Sequence, residues 1–169
     1  MKRWLWTVVF LGVAAGGVWW AVQALAGDEQ KVRRCFSRLG ELIDKREGES
    51  LILAAARGQA LGNLFSDDFE ARTEVADLSG HFTPEEISAH AVRARSRFSR
   101  LELRFADVQA RVLPGGREAE AAAVATLSGR PQGGGDFGTE TRLLRCRLRK
   151  GDDGHWRFVD AELSQGLAR

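Results

Sequence analysis

Two side chains in this sequence stand where acid–base chemistry would need them, and they are His90 and Asp107. His90 shares a 3-4 periodic face with Ile87, Ala91, Ala94 and Phe98, so a helix turns its imidazole inward with them. Asp107 falls where two alternating runs change phase. Leu101, Leu103 and Phe105 precede it, and Val108, Ala110 and Val112 follow in the opposite register. That change predicts a β-bulge at Ala106-Asp107, and a bulge re-aims its side chain. An imidazole and a carboxylate converging on one cavity would be a general acid and base, provided each reaches its proton within hydrogen-bond distance. His90, Cys146 and Trp156 are the candidate lining of such a pocket. The plainer reading gives His90 a neighbour to bond and turns Asp107 into water.

Other groups point away from common chemistries. No His, Cys and acid combination has zinc spacing, and Asp152-Asp153-Gly154-His155 lacks the ligand spacing of a calcium loop. No metal or cofactor is expected. Gly133-Gly134-Gly135 lies between strand patterns, so it reads as a hairpin tip and not as a phosphate loop before a helix. Arg145, Arg147 and Arg149 share one face of a strand, either as a ligand surface or as a solvated stripe balanced by Glu118, Glu120 and Glu162. Cys35 and Cys146 are far apart in sequence. They are either two small core side chains or, in an exported domain, one disulfide.

These residues need elements to hold them. Residues 28–46 repeat apolar positions at helical spacing with Asp28 as a cap, and Ser50 caps a second helix over about 51–65. The second helix is apolar almost all round, which predicts burial between other elements. A short strand over Phe69–Val75 and a tight return over Leu78–Phe82 follow. Thr83-Pro84-Glu85-Glu86 is a capping box with Pro at N1, opening a helix over 84–99. From residue 101 the period becomes two. Four long strands result, including an alanine-rich one over 119–127, Phe137–Arg149, and His155–Leu163 as the last. Helices followed by hairpin-linked strands make an α+β fold of three helices on a curved antiparallel sheet.

Ahead of this domain, Trp4–Ala26 contains no charged residue. As a helix it would rise roughly 35 Å, enough for a hydrocarbon core of about 30 Å. Tryptophans at both ends match the aromatic belts of a retained span, while Ala24-Leu25-Ala26 before Gly27 has the form of a signal cleavage site. The chain therefore divides into a transmembrane anchor or signal segment, 1–27, and a domain, 28–169. Either form of the segment places the domain on the exported side, although Lys31, Arg33, Arg34 and Arg38 after the span argue for the reverse. Of 25 Lys and Arg residues only Lys2 and Arg3 precede residue 28, leaving 23 against 23 acids. A domain so balanced is not expected to bind nucleic acid.

The helix pair over 28–65, the passage Ser79-Gly80-His81-Phe82-Thr83-Pro84-Glu85-Glu86 and the ending Gly154-His155-Trp156-Arg157-Phe158 together resemble the NTF2-like superfamily, over residues 30–165. That superfamily includes the nuclear transport factor, SnoaL-like cyclases and ketosteroid isomerases. The resemblance implies a cone-shaped cavity between helices and sheet, and many functions share that fold. An isomerase-type oxyanion hole uses a tyrosine, and this chain has none. The first expectation is a non-catalytic, membrane-anchored interaction module of the cell envelope, with a second copy or an envelope protein as partner. The alternatives are a SnoaL-like isomerase, cyclase or hydratase using His90 and Asp107 on an apolar substrate, and a purely structural homodimer.

Overall fold

In this computed structural model residues 27–73 and 79–164 are described. The expected anchor, Trp4–Ala26, lies outside them, as do Val75 and Leu78. Among the described residues no helix is long and apolar enough to cross a membrane. The elements run α1 (27–43), α2 (Leu51–Gly62), β1 (Phe65–Arg72), β2 (Gly80–Phe82), α3 (Pro84–Ser96), β3 (Phe98–Val112), β4 (Glu118–Pro131), β5 (Gly138–Lys150) and β6 (Trp156–Leu163).

The six strands form one sheet in the order β2-β1-β6-β5-β4-β3. Every pairing is antiparallel except one: β1 runs parallel to β6. The expected all-antiparallel sheet is corrected here. Parallel neighbours need a long crossover, and everything from β2 to β5 serves as that connection, which local periodicity does not reveal. The bulge expected at Ala106-Asp107 is present. The β3–β4 register shifts between Ala106 and Gln109, and Asp107 takes φ 52°.

Buried side chains of α1 face the sheet. Val32 and Phe36 are fully covered, and with Ala119, Ala121, Ala123, Cys146, Leu148, Trp156 and Phe158 they form one core. Alanines on β4 leave room above the sheet for the Phe36 ring. That ring meets Phe105 of β3 and Phe158 of β6 edge-on, at 5.3 and 5.4 Å. Asp28 does not cap this helix. It lies inside it, and its carboxylate accepts from Lys31 and Lys150, each at 2.8 Å.

The second and third helices pack on each other through glycine. A Cβ at Gly62 would lie 2.5 Å from the Pro84 carbonyl oxygen, and one at Gly58 would lie 2.6 Å from Val92. The α2 helix buries only Gly58, Leu61 and Gly62. Leu51 and Ile52 at its start are 88% and 84% exposed. The expectation that α2 is covered on all sides fails, because α3 covers a single side and no described element covers the other. The third helix begins as its sequence requires. Thr83 accepts from the Glu86 amide while the Glu86 carboxylate accepts from the Thr83 amide.

The buried side of α3 carries Ile87, Ala91 and Val92 and ends on a charge. Its one buried residue is Arg95, whose guanidinium donates to the carbonyls of Leu42, Ile43 and Asp44 at the end of α1 and to Glu49 at 2.5 Å. The last carbonyls of a helix have no partner of their own. Arg95 supplies one, at the negative end of the helix dipole. Lys45 extends the lock, donating to the carbonyls of Arg95 and Phe98. Its backbone also bridges to Leu101 on the edge strand β3.

Candidate functional site

The interior of the cone is occupied by rings. Phe36 stands between Phe105 and Phe158. Phe65 packs on Phe69 at 4.7 Å and on Phe158 at 5.4 Å. Cys146 and Trp156, expected to line a pocket with His90, belong to this packed core at 4% exposure each. His90 does not join them. Its side of α3 is exposed, and its imidazole meets the Phe82 ring edge-on at 5.7 Å. The reason is the burial of Arg95. Five residues along a helix turn the chain through about 140° beyond a full turn, so the helix that hides Arg95 presents His90 outward. Asp107 sits at the predicted bulge but is also exposed. Neither residue lines any of the cavities described below.

Both thiols are free. Burial pushes the Cys35 thiol up to about 11. Burial, reinforced by the charges of Asp160 and Cys35, pushes Cys146 up to about 12. A thiol so protonated at neutral pH is a poor nucleophile. Cys35 instead donates weakly to the carbonyls of Lys31 and Trp156.

On the outer face of the sheet a shallow cavity of about 590 Å³ is lined by charged residues that include Arg111, Glu120, Arg145, Arg147, Asp160 and Glu162. Strand register sets most of these charges against opposite ones. Arg111 pairs with Glu120 at 3.0 Å and Arg149 with Glu118 at 3.5 Å. Arg147 and Arg72 both reach Asp160. Arg147 and Arg149 of the arginine stripe are thus held in cross-strand pairs, and Arg145 lies opposite Glu162 in register. Among the described residues no group of three His, Cys, Asp or Glu could hold a metal ion.

A second cavity, of about 680 Å³, is different in kind. It lies between the first turns of α1 and the β5–β6 turn, and its lining includes Lys31, Arg34, Arg38, His155, Arg157 and Asn63, with Cys35 and Trp156 at its wall. No carboxylate lines it. Positions 31, 34, 35 and 38 follow helical spacing, which places them on one face of α1. His155 and Arg157 arrive from the far end of the chain. Lys31 is drawn partly to Asp28, Arg38 to Glu41 at 3.2 Å, and Arg157 to Asp153 at 2.5 Å. Arg34 is exposed and makes no ion pair among the described residues. The Trp156 indole N–H is buried without a partner. The sequence sets Lys31, Arg34 and Arg38 only against the membrane orientation and marks no groove, because nothing local ties residue 157 to residue 34.

No family model and no curated protein matches the chain. Solved structures do match it by shape. A provisionally assigned scytalone dehydratase from Novosphingobium aromaticivorans superimposes with a TM-score of 0.70 at 14% identity, over 87% of this chain and 89% of its own. An NTF2-like protein with a cystatin-like fold from the same organism gives 0.64 at 21% identity, covering 85% and 84%. ActVI-ORFA from Streptomyces coelicolor gives 0.61 at 13% identity, covering 82% and 96%. Three helices on a six-stranded sheet, with Phe36 lodged over the alanines of β4, are therefore one version of a shared architecture, and this chain has the NTF2-like, SnoaL-like α+β fold.

Proposed function

We propose that this chain is a non-catalytic binding module, held at a membrane by Trp4–Ala26, which meets its partners with its surface and not with its cone. The observation that carries this reading is the packed interior: Phe36, Phe65, Phe105 and Phe158 fill the place where an NTF2-like enzyme would admit its substrate. The exposed positions of His90 and Asp107 support it, since neither reaches that interior. The apolar length of Trp4–Ala26 supports the anchor, and export of the domain remains the orientation we favour.

The name of one similar structure, scytalone dehydratase, favours the second reading, a SnoaL-like enzyme acting on an apolar molecule. The two readings separate in a binding experiment on the full chain in an uncharged detergent. A ring-sized apolar probe, indole, is titrated while protein-detected resonances of the core aromatic rings are followed. The binding-module reading expects no saturable shift at Phe36 or Phe158. A saturable, one-to-one shift there would return the enzyme to first place. Retention of the chain in the membrane fraction after an alkaline wash tests the anchor separately, and its release would sink that half of the reading.

A further inference from the structure

We infer that the basic groove between α1 and the β5–β6 turn is a docking site for the phosphate of anionic lipid headgroups. The inference rests on the anchored reading above. Its first support is charge segregation. The domain beyond residue 27 balances 23 basic against 23 acidic residues, and Lys31, Arg34, Arg38, His155 and Arg157 line one groove while the acids that pair with Lys31, Arg38 and Arg157 lie outside its lining. On the outer sheet face Arg111, Arg147 and Arg149 sit in cross-strand pairs and Arg145 stands outside them; at the groove Arg34 makes no ion pair among the described residues. Guanidinium groups present several donors in a fixed fork that matches phosphate oxygens.

Position supplies the second support. The groove is built on the helix that follows Trp4–Ala26 directly, with α1 described from residue 27. At about 1.5 Å per residue, positions 31 to 38 lie roughly 8 to 18 Å beyond residue 26 along the helix. The polar layer of a bilayer leaflet is about 5–8 Å thick, and long arginine and lysine side chains reach back toward an interface. With α1 continuing a segment seated in the hydrocarbon, Lys31 and Arg34, about 8 and 12 Å out, would reach back to the headgroups, and Arg38, about 18 Å out, would stand beyond them. Basic clusters next to a span are attracted to anionic lipid, as on a cytoplasmic leaflet, and for an exported domain the proposal requires anionic lipid in the leaflet that faces it. Here folding adds Arg157 and His155 to the cluster from the other end of the domain.

The test uses the full chain in uncharged detergent, titrated with dioctanoyl phosphatidylglycerol, with dioctanoyl phosphatidylcholine, and with inorganic phosphate. Binding is read by native mass spectrometry. Phosphatidylglycerol is expected to bind at least about ten-fold more tightly than phosphatidylcholine, a factor that corresponds to one charge-assisted contact. The double variant Arg34→Glu/Arg38→Glu should abolish that preference. Arg93→Glu/Arg100→Glu, an equal change of charge at exposed positions away from the groove, should keep it. Should the first double variant fold poorly, Arg34→Gln, which disturbs no ion pair, should still lower the preference several-fold. Equal losses in both double variants overturn the proposal, as does equal binding of the two lipids. Tighter binding of inorganic phosphate than of phosphatidylglycerol overturns it too, by assigning the groove to a soluble phosphate compound. Retention after an alkaline wash reports the anchor alone. A chain that washes off yet keeps its lipid preference loses the anchor and keeps the groove; a chain that stays without preference does the reverse.

Discussion

Single residues decide two features of this domain. Asp107 holds a left-handed backbone, φ 52°, inside β3; that region costs most residues bearing a Cβ about 1–2 kcal/mol, while aspartate is among the few that visit it readily. Glycine has no such cost. Asp107→Gly should therefore hold or raise the urea midpoint, while Asp107→Val should lower stability by about 1–2 kcal/mol at unchanged slope. A fall with glycine as large as with valine would show that the aspartate side chain, and not the bulge, matters there. Arg95 is the second case. Its guanidinium satisfies the last two carbonyls of α1 and that of Asp44 just after it, and faces Glu49, whose side chain is 3% exposed. Arg95→Met leaves Glu49 with Arg57 alone, at 3.3 Å, and removing one member of a buried pair costs about 3–5 kcal/mol. Arg95→Met/Glu49→Leu should recover part of that loss, measured in the same urea titration. No recovery would mean that the carbonyl contacts dominate.

Elements show how far sequence reasoning carries. Most local chemistry was legible: the Thr83-Pro84-Glu85-Glu86 box opens α3, Ser50 caps α2, and the phase change marks the bulge, while the cap expected of Asp28 was not one. What was not legible depended on partners distant in sequence. The inward face of α3 was read from Ile87, His90 and Ala94. An arginine scores as solvent-facing in any periodicity, yet Arg95 is the buried residue because α1 ends beside it. The helix therefore turns Ile87, Ala91 and Arg95 inward, and His90, the chief catalytic candidate, lies outside. The α2 helix misled for a related reason, since an apolar helix implies cover only if something is there to cover it. Its two sides should respond oppositely. Replacing exposed Leu51 and Ile52 with Lys should change stability by no more than about 0.5 kcal/mol, whereas Leu61→Ala should cost about 2–5 kcal/mol. Gly62→Ala tests the glycine contact. Alanine normally favours a helix by about 1 kcal/mol, but here its Cβ meets a backbone oxygen at 2.5 Å, so overpacking should win and the thermal midpoint should fall. A rise would show that α2 and α3 can part at little cost.

For the molecule as a whole, the two thiols predict an alkaline limit. A thiol held above its ordinary value near 9 by burial favours the folded state while it stays protonated. That contribution is complete below pH 9 and is lost as pH rises toward 11 to 12, because the unfolded chain gives up its thiol protons first. The slope should be at most about 2.7 kcal/mol per pH unit for two such groups. Thiolate absorbance reports the titration directly, since a chain without tyrosine has no overlapping phenolate band. Thiolate appearing near pH 9 in folded protein would refute the burial. On the acid side Asp28 behaves oppositely. Burial pushes its carboxyl up, the two lysines Lys150 and Lys31 outweigh that, and the result lies below 3.8. Its contribution is therefore present above that value and fades as pH falls through the lowered one. The sheet order has a consequence of another sort. The β6 strand joins the β1–β2 hairpin to the β3–β4–β5 meander, and it is the last of these strands to leave a ribosome. During synthesis the two halves of the sheet wait as separate pieces with open edges. Only the arrival of Trp156–Leu163 on the side where the domain folds lets them close, so chaperone dependence should be set by how long the open edges wait for that strand.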